Sequence, residues 1–171
     1  MWNHFIRHNK YAGAVLAVIR VYLGYTWLTA GIGKWMSGSF DASGFMKGAI
    51  ASASGENPAV QGWWAAFLQH IALPNAELFS NVVMIGEILV GMALILGVFT
   101  NFAALMGIIM NFAYLFSGTV SINAQMVLLT TFLIVAGFNA GKFGLDRWII
   151  PFMNRKLVKN GTPKKKVRTV H

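Results

Sequence analysis

The 171-residue chain contains no cysteine and few charged residues. Without cysteine, the chain cannot form a disulfide, supply a thiol nucleophile or ligate an iron–sulfur cluster through sulfur. Charged residues make up 11 % of the sequence, against roughly 25 % in soluble domains, while 56 % of the residues are hydrophobic. Because long stretches also lack a hydrophilic face, the composition predicts an all-α integral membrane protein.

Positive charge is concentrated at the two ends of the chain. The formal net charge is +9, and from Lys142 onward nine Lys or Arg residues stand against one Asp. Arg7 and Lys10 add positive charge near the N-terminus. Basic segments beside membrane spans stay in the cytoplasm, so this pattern predicts a multi-pass protein of the plasma membrane, of the bacterial inner-membrane type, with both termini cytoplasmic. The basic tail, residues 142–171, is predicted to contact anionic lipid rather than nucleic acid.

Four apolar segments approach the roughly 20 residues that a helix needs to cross a bilayer. They comprise residues 11–35, 76–99, 101–117 and 122–140. Short connections join the last three, and short connections make neighbouring helices antiparallel. Residues 11–141 are therefore predicted to form an up-down-up-down four-helix transmembrane bundle.

Two further segments are predicted to lie along the membrane surface. The long outer loop, residues 36–75, contains PAVQGWWAAFLQHIALP, whose apolar residues recur at helical spacing. Its two tryptophans predict an interfacial helix, with a lid over the bundle as the alternative. Residues 1–10 place Trp2, Phe5 and Ile6 opposite basic side chains and are predicted to lie on the inner interface.

Arg20 lies within the first predicted span, where an arginine opposes insertion by roughly 2.5–3.5 kcal/mol. Its side chain could snorkel to the cytoplasmic surface or pair with an acidic residue. Counted from the inner helix ends, Arg20 lies about 13 Å deep, Glu87 of the second span about 16 Å and Asn111 of the third about 15 Å. We therefore predict a buried Arg20–Glu87 ion pair with Asn111 nearby.

A second polar level is expected nearer the outside. Trp27 and Lys34 share one face of the first helix with Arg20. Lys34 falls at about the height of Glu77, which opens the second span. Lys34 and Glu77 therefore join the candidate ligand-binding residues.

Three stretches in these helices carry a family resemblance. They are RVYLGYTWLTAGIGKW at residues 20–35, GEILVGMALILGVFT at residues 86–100 and FNAGKFGLDRW at residues 138–148. Together and in this order they resemble the DoxX family of small four-span membrane proteins, which is related to the DoxD subunit of a thiosulfate:quinone oxidoreductase. The resemblance falls on Arg20, Lys34, Gly86, Glu87 and Asp146, with Gly86 and Asp146 as structural motif positions. It implies a membrane subunit or partner of an oxidoreductase system, linked to quinone.

A quinone site needs aromatic walls, hydrogen-bond donors for the quinone oxygens and a proton carrier. Arg20 and Asn111 are the candidate donors and Glu87 the candidate proton carrier. The candidate wall residues beside Arg20 are Tyr22, Tyr25 and Trp27. The predicted spans contain no histidine, so a redox partner subunit is expected to supply the electrons, and no covalent cofactor or metal site is predicted.

A non-enzymatic function remains open beside the redox one. The chain could be a membrane anchor, an assembly module or a small-solute transporter whose buried charges are structural. A quinone site predicts an aromatic slot beside Arg20, whereas a solute path predicts an aqueous cavity joining Arg20 to Lys34. The sequence identifies no catalytic residue, so whether the protein is an enzyme is also open.

Overall fold

The computed structural model describes residues 2–38, 40–54 and 56–161, with side chains as far as Arg155. The regular secondary structure in these ranges is helical. The helices are α1 (Trp2–His8), α2 (Lys10–Met36), α3 (Ser43–Ala51), α4 (Gly62–Phe67), α5 (Ala76–Leu96), α6 (Thr100–Phe116), α7 (Asn123–Ala136), α8 (Phe138–Gly141) and α9 (Asp146–Gly161). A π-helical turn (Leu68–Ala72) and a 3-10 turn (Leu73–Asn75) join α4 to α5.

Two helical segments are long and apolar enough to cross a membrane. They are α2, with 27 residues, and the continuous helical run from Gly62 to Leu96, with 35 residues. The apolar helices α6 and α7 are shorter, at 17 and 14 residues. The fourth predicted span, residues 122–140, is interrupted at Gly137, where a positive φ of 58° separates α7 from α8.

The two longest apolar helices, α2 and α5, pack closely because glycines remove side chains from their interface. A Cβ atom built on Gly91 of α5 would lie 2.5 Å from the backbone nitrogen of Leu28 in α2. Gly24 and Gly31 of α2 face α5 in the same way, against Ile95 and Ile88 respectively. Because the later residue of α2 (Gly31) meets the earlier residue of α5 (Ile88), the two helices are antiparallel. Small residues permit this close backbone approach in membrane helices.

The bundle has two distinguishable ends. The end that carries residues 37–75 is called the loop end, and the end that carries α1 and α9 is called the terminal end. At the loop end, residues 40–54 and 56–75 form a cap, called the lid. The lid has its own apolar cluster, which includes Ala42, Met46, Val60, Ala65, Leu68 and Ala72. The sequence PAVQGWWAAFLQHIALP thus forms part of a folded lid whose helix continues into α5.

At the terminal end, α1 is joined to the bundle by hydrogen bonds. The buried side-chain amide of Asn139 donates to the backbone carbonyls of Ile6 (2.8 Å) and Asn9 (3.0 Å). Arg7 donates to the carbonyl of Val135 (2.9 Å). The predicted basic tail begins before α9 and includes residues 162–171, which lie outside the described residues.

Candidate functional site

A cavity of about 490 Å³ lies between the lid and the loop end of the bundle. Its walls come from α2, α5, α6, the start of α7 and the lid. The aromatic wall residues are Trp27, Phe40, Phe45, Trp64, Phe67, Phe79 and Tyr114. Apolar walls with a few polar groups are typical of sites that bind organic ligands, and the volume lies within the range of such sites.

Three polar side chains from three helices meet on the cavity wall. The Lys34 ammonium donates to both carboxylate oxygens of Glu87, at 2.9 Å and 2.7 Å. The Tyr114 hydroxyl donates to Glu87 Oε1 at 2.7 Å. Glu87 is thus held by α2 and α6 while it projects from α5. We call Lys34, Glu87 and Tyr114 the polar triad.

The members of the polar triad differ in their access to solvent. The Glu87 side chain is 2 % exposed and the Lys34 side chain 21 % exposed. The Lys34 ammonium also lies 5.3 Å from the ring centre of Phe40, a cation–π distance. A carboxylate as buried as Glu87 needs a charge partner and hydrogen bonds, and the triad provides both. An ammonium has three N–H donors, so two bonds to Glu87 leave Lys34 with one more to offer.

The lid is attached to the bundle beside the cavity by two side-chain hydrogen bonds. The Trp64 indole N–H donates to the Ser117 hydroxyl at 2.9 Å. The backbone N–H of Ala42 donates to the Ser80 hydroxyl at 2.9 Å. Trp64 and Ala42 belong to the lid, whereas Ser117 follows α6 and Ser80 is in α5. The lid therefore holds its aromatic side chains over the polar triad.

One lid carboxylate stabilises the start of α3 rather than the polar triad. Asp41 accepts hydrogen bonds from the Ser43 hydroxyl (2.6 Å) and from the Ser43 backbone N–H (2.8 Å). These bonds, that of the hydroxyl first, lower the pKa of the Asp41 carboxyl. Asp41 is fully exposed and forms no part of the cavity wall.

The predicted Arg20–Glu87 ion pair is wrong, because Glu87 pairs with Lys34. Arg20 lies fourteen residues away on α2, about 21 Å along the helix axis. The prediction assumed that the helices end in one plane. In the structure, the first part of α2 extends past the end of α5 and packs beside α8, where Gly13 faces Asn139. Arg20 is therefore level with the α5–α6 turn and not with Glu87.

Arg20 is buried in a second polar cluster at the terminal end. Its Nη2 atom lies 3.4 Å from the carbonyl oxygen of Phe143, and the guanidinium packs directly against Gly97 and Gly144. Asp146 attracts the guanidinium electrostatically. Neither side chain is more than 3 % exposed. Snorkelling to the surface is therefore not how the structure accommodates Arg20.

Asp146 connects this cluster to the α5–α6 turn. Its carboxylate accepts from the backbone N–H groups of Phe99 (2.7 Å) and Thr100 (2.8 Å). Its own N–H donates to the carbonyl of Gly97 at 2.8 Å. Because a helix N-terminus has unpaired N–H groups and a partial positive charge, Asp146 caps α6 from a distant part of the chain. We call Arg20, Asp146 and the residues around the α5–α6 turn the terminal cluster.

The remaining predicted site residues fall in several different places. Trp27 lines the cavity, and Tyr22 and Tyr25 lie on the bundle surface, 39 % and 63 % exposed. Asn111 is fully buried, and Glu77 is exposed and forms no ion pair with Lys34. The Gly86 Cα faces α6, where an added Cβ would lie 3.3 Å from the Met110 sulfur. Of the predicted set, Trp27, Lys34 and Glu87 therefore line one cavity.

Tyr114 and the aromatic side chains of the lid are the site residues that the sequence prediction missed. Tyr114 lies three residues after Asn111, hence on the same helix face, and this spacing is the signal that could have identified it. Within the described part of the chain, no group of three or more His, Asp or Glu residues could hold a metal ion.

The sequence model of one family, DoxX, matches residues 15–119, which is more than half of the chain. The match includes most of α2, the lid, α5 and α6, and therefore the whole polar triad. No curated protein and no solved structure matches the chain. On the family match, the chain belongs to the DoxX family, and its apolar helices are those of a membrane protein.

Proposed function

We propose that this protein is the membrane subunit or partner of an oxidoreductase system and binds a quinone in the cavity beneath the lid. The observation that carries the proposal is the polar triad on the wall of an otherwise largely aromatic and apolar cavity. In this proposal α2, α5, α6 and α7–α8 cross the bacterial inner membrane. Both termini are cytoplasmic and the lid lies at the outer surface.

The triad offers the groups that a quinone ring requires. The third N–H of Lys34 can donate to a quinone carbonyl, and Trp64, Phe67 and Phe79 supply flat apolar surfaces. Glu87 can receive or release a proton, and the Tyr114 hydroxyl donates a hydrogen bond to its Oε1 atom. Since Lys34 and Glu87 neutralise each other, the cavity suits an uncharged ligand better than an anion.

The terminal cluster supports binding over transport through the bundle. Between the cavity and Arg20, the core contains the fully buried side chains of Leu23, Leu94 and Leu133. The guanidinium of Arg20 then fills the space beside Gly97 and Gly144. A ligand would therefore enter and leave at the loop end. The sequence suggested two kinds of site, an aromatic slot beside Arg20 or an aqueous path from Arg20 to Lys34. This cavity matches neither, because Arg20 does not line it.

The electrons are proposed to come from a separate redox partner. The chain has no cysteine, and its histidines lie at positions 4, 8, 70 and 171, outside the proposed spans. The lid is the surface nearest the cavity and is therefore the proposed side of contact. The proposed role of this chain is to bind the quinone and to exchange protons with it through Glu87.

The test is a titration of the purified protein in lipid nanodiscs with decylubiquinone, followed by quenching of tryptophan fluorescence. Trp27 and Trp64 line the cavity, so a bound quinone should quench them in a saturable way. The double variant Lys34→Met/Glu87→Leu removes both charges together and should weaken binding by about tenfold or more, as expected for the loss of a charge-assisted hydrogen bond. Tyr25→Phe, on the exposed surface, is the matched control and should bind as the wild type does.

Two results would contradict the quinone proposal. One is the absence of saturable quenching in a folded wild-type protein. The other is equal affinity of the wild type and the folded double variant. Either result would favour the alternative of an anchor or assembly module, in which the polar triad has only a structural role.

A further inference from the structure

Two buried polar groups next to the cavity have no hydrogen-bond partner among the described residues. One is the side-chain amide of Asn111, whose nitrogen and oxygen are both unpaired and whose side chain is fully buried. The other is the indole N–H of Trp27, a residue that is 3 % exposed and also lines the cavity. Buried polar groups in folded proteins nearly always have a partner, in the protein or in ordered water.

The backbone places these two groups beside the same turn of α6. A Cβ atom built on Gly107 would lie 3.1 Å from the Trp27 indole nitrogen, so this nitrogen lies against Gly107. Asn111 follows Gly107 by four residues and hence lies above it on the same helix face. Helical side chains lean toward the helix N-terminus, so the Asn111 amide extends back toward Gly107.

The two groups are chemically complementary, yet they do not bond to each other. The indole N–H needs an acceptor, and the amide offers both a donor and an acceptor. A single oxygen that both accepts and donates can satisfy all three atoms. Buried polar groups that lie beside the same helical turn and lack a partner in the protein are commonly bridged by an ordered water molecule.

We infer that Asn111 and Trp27 bind an internal water molecule that extends the polar part of the site one helical turn below Tyr114. Asn111 precedes Tyr114 by three residues on the same face of α6. On the far side, the apolar layer of Leu23, Leu94 and Leu133 ends the polar region. The water site shares Trp27 with the wall of the proposed quinone cavity, but the water requires no quinone to bind.

Nuclear magnetic resonance of the full-length protein with ¹⁵N-labelled tryptophan tests this site directly. The indole signal of Trp27 is assigned by its loss in Trp27→Phe. In the ligand-free wild type, the Trp27 indole proton should show a cross-peak to a long-lived water. In Asn111→Leu, which keeps the branched shape of the side chain but removes the amide, this cross-peak should fall to the noise level. The Trp64 signal is the internal control, because its N–H donates to Ser117 and should not change.

Two results would overturn the inference. One is a wild-type Trp27 indole proton without a water cross-peak. The other is a cross-peak that persists unchanged in Asn111→Leu. If Asn111→Leu fails to fold, the wild type labelled at the Asn111 side-chain amide decides the question. A cross-peak from that amide to water supports the site, and its absence refutes it.

Discussion

The ion pair between Lys34 and Glu87 makes a quantitative prediction about membrane-protein stability. Replacing Lys34 by Met leaves the Glu87 carboxylate buried with only the hydrogen bond from Tyr114. Breaking a buried ion pair on one side costs about 3 kcal/mol or more in the free energy of unfolding. Replacing Glu87 by Leu should cost about 1–2 kcal/mol, because the ammonium is one-fifth exposed and can turn toward solvent.

The double variant should lose less stability than the sum of the two single variants. Lys34→Met/Glu87→Leu leaves no lone charge, and its main residual cost is the unpaired Tyr114 hydroxyl, about 1–2 kcal/mol. The sum of the two single losses exceeds the loss in the double variant by about 3 kcal/mol, which is the expected coupling free energy between Lys34 and Glu87. Reversible unfolding in mixed micelles, followed by the circular dichroism of the helices, measures all four variants of the cycle.

The matched control is a second cycle between Arg20 and Glu87. Arg20 lies about 21 Å from Lys34 along α2, so Arg20→Met and Glu87→Leu should be additive within about 0.5 kcal/mol. A larger coupling for Arg20–Glu87 than for Lys34–Glu87 would refute the assignment of the ion pair.

Three further changes test the packing around the site. Gly91→Ala should destabilise the protein by about 2 kcal/mol or more in thermal unfolding, because the added Cβ would meet the α2 backbone. Gly33→Ala is the control and should be neutral or slightly stabilising, because the space around Gly33 is open. Asp146→Ala should lower the free energy of unfolding by about 2–4 kcal/mol in the same measurement. Two backbone N–H groups at the start of α6 lose their cap, and Arg20 loses its counter-charge. A loss below about 0.5 kcal/mol would argue against the cap. Trp64→Phe should change the free energy of unfolding by no more than about 1 kcal/mol. It should make the lid more accessible to limited proteolysis, because the hydrogen bond to Ser117 is lost. Unchanged cleavage would show that this bond does not hold the lid.

The sequence predicted the helices better than their relative positions. Apolar length identified α2 and α5 within a few residues, because span length depends only on local composition. The predicted depth of Arg20 relative to Glu87 was wrong, because it was counted from helix ends that do not lie in one plane. The positions of the glycines indicate the correct register of α2 against α5. Gly24 packs against Gly91 and Gly31 packs against Ile88, and this register brings Lys34, rather than Arg20, to the level of Glu87.

The cavity depends on contacts that no local pattern specifies. The aromatic residues in the second half of the lid were recognised as part of an amphipathic helix. Their position over Glu87 depends on hydrogen bonds with Ser80 of α5 and with Ser117, which follows α6. The role of Asp146 as a cap for α6 likewise depends on a contact across 46 positions of sequence. The sequence therefore identified Lys34, Glu87 and Asp146 as candidate positions but did not give their partners.

The most direct test of the central claim is to map where a photoreactive azido-quinone becomes attached to the protein in nanodiscs. If the polar triad marks the quinone site, peptide mass spectrometry should find labels on the cavity walls, on α6 between Met110 and Ser117 and on the lid between Trp64 and Leu68. An excess of decylubiquinone should suppress these labels. Labels found only on exposed α2 positions such as Tyr25, or labels that decylubiquinone does not displace, would contradict the claim.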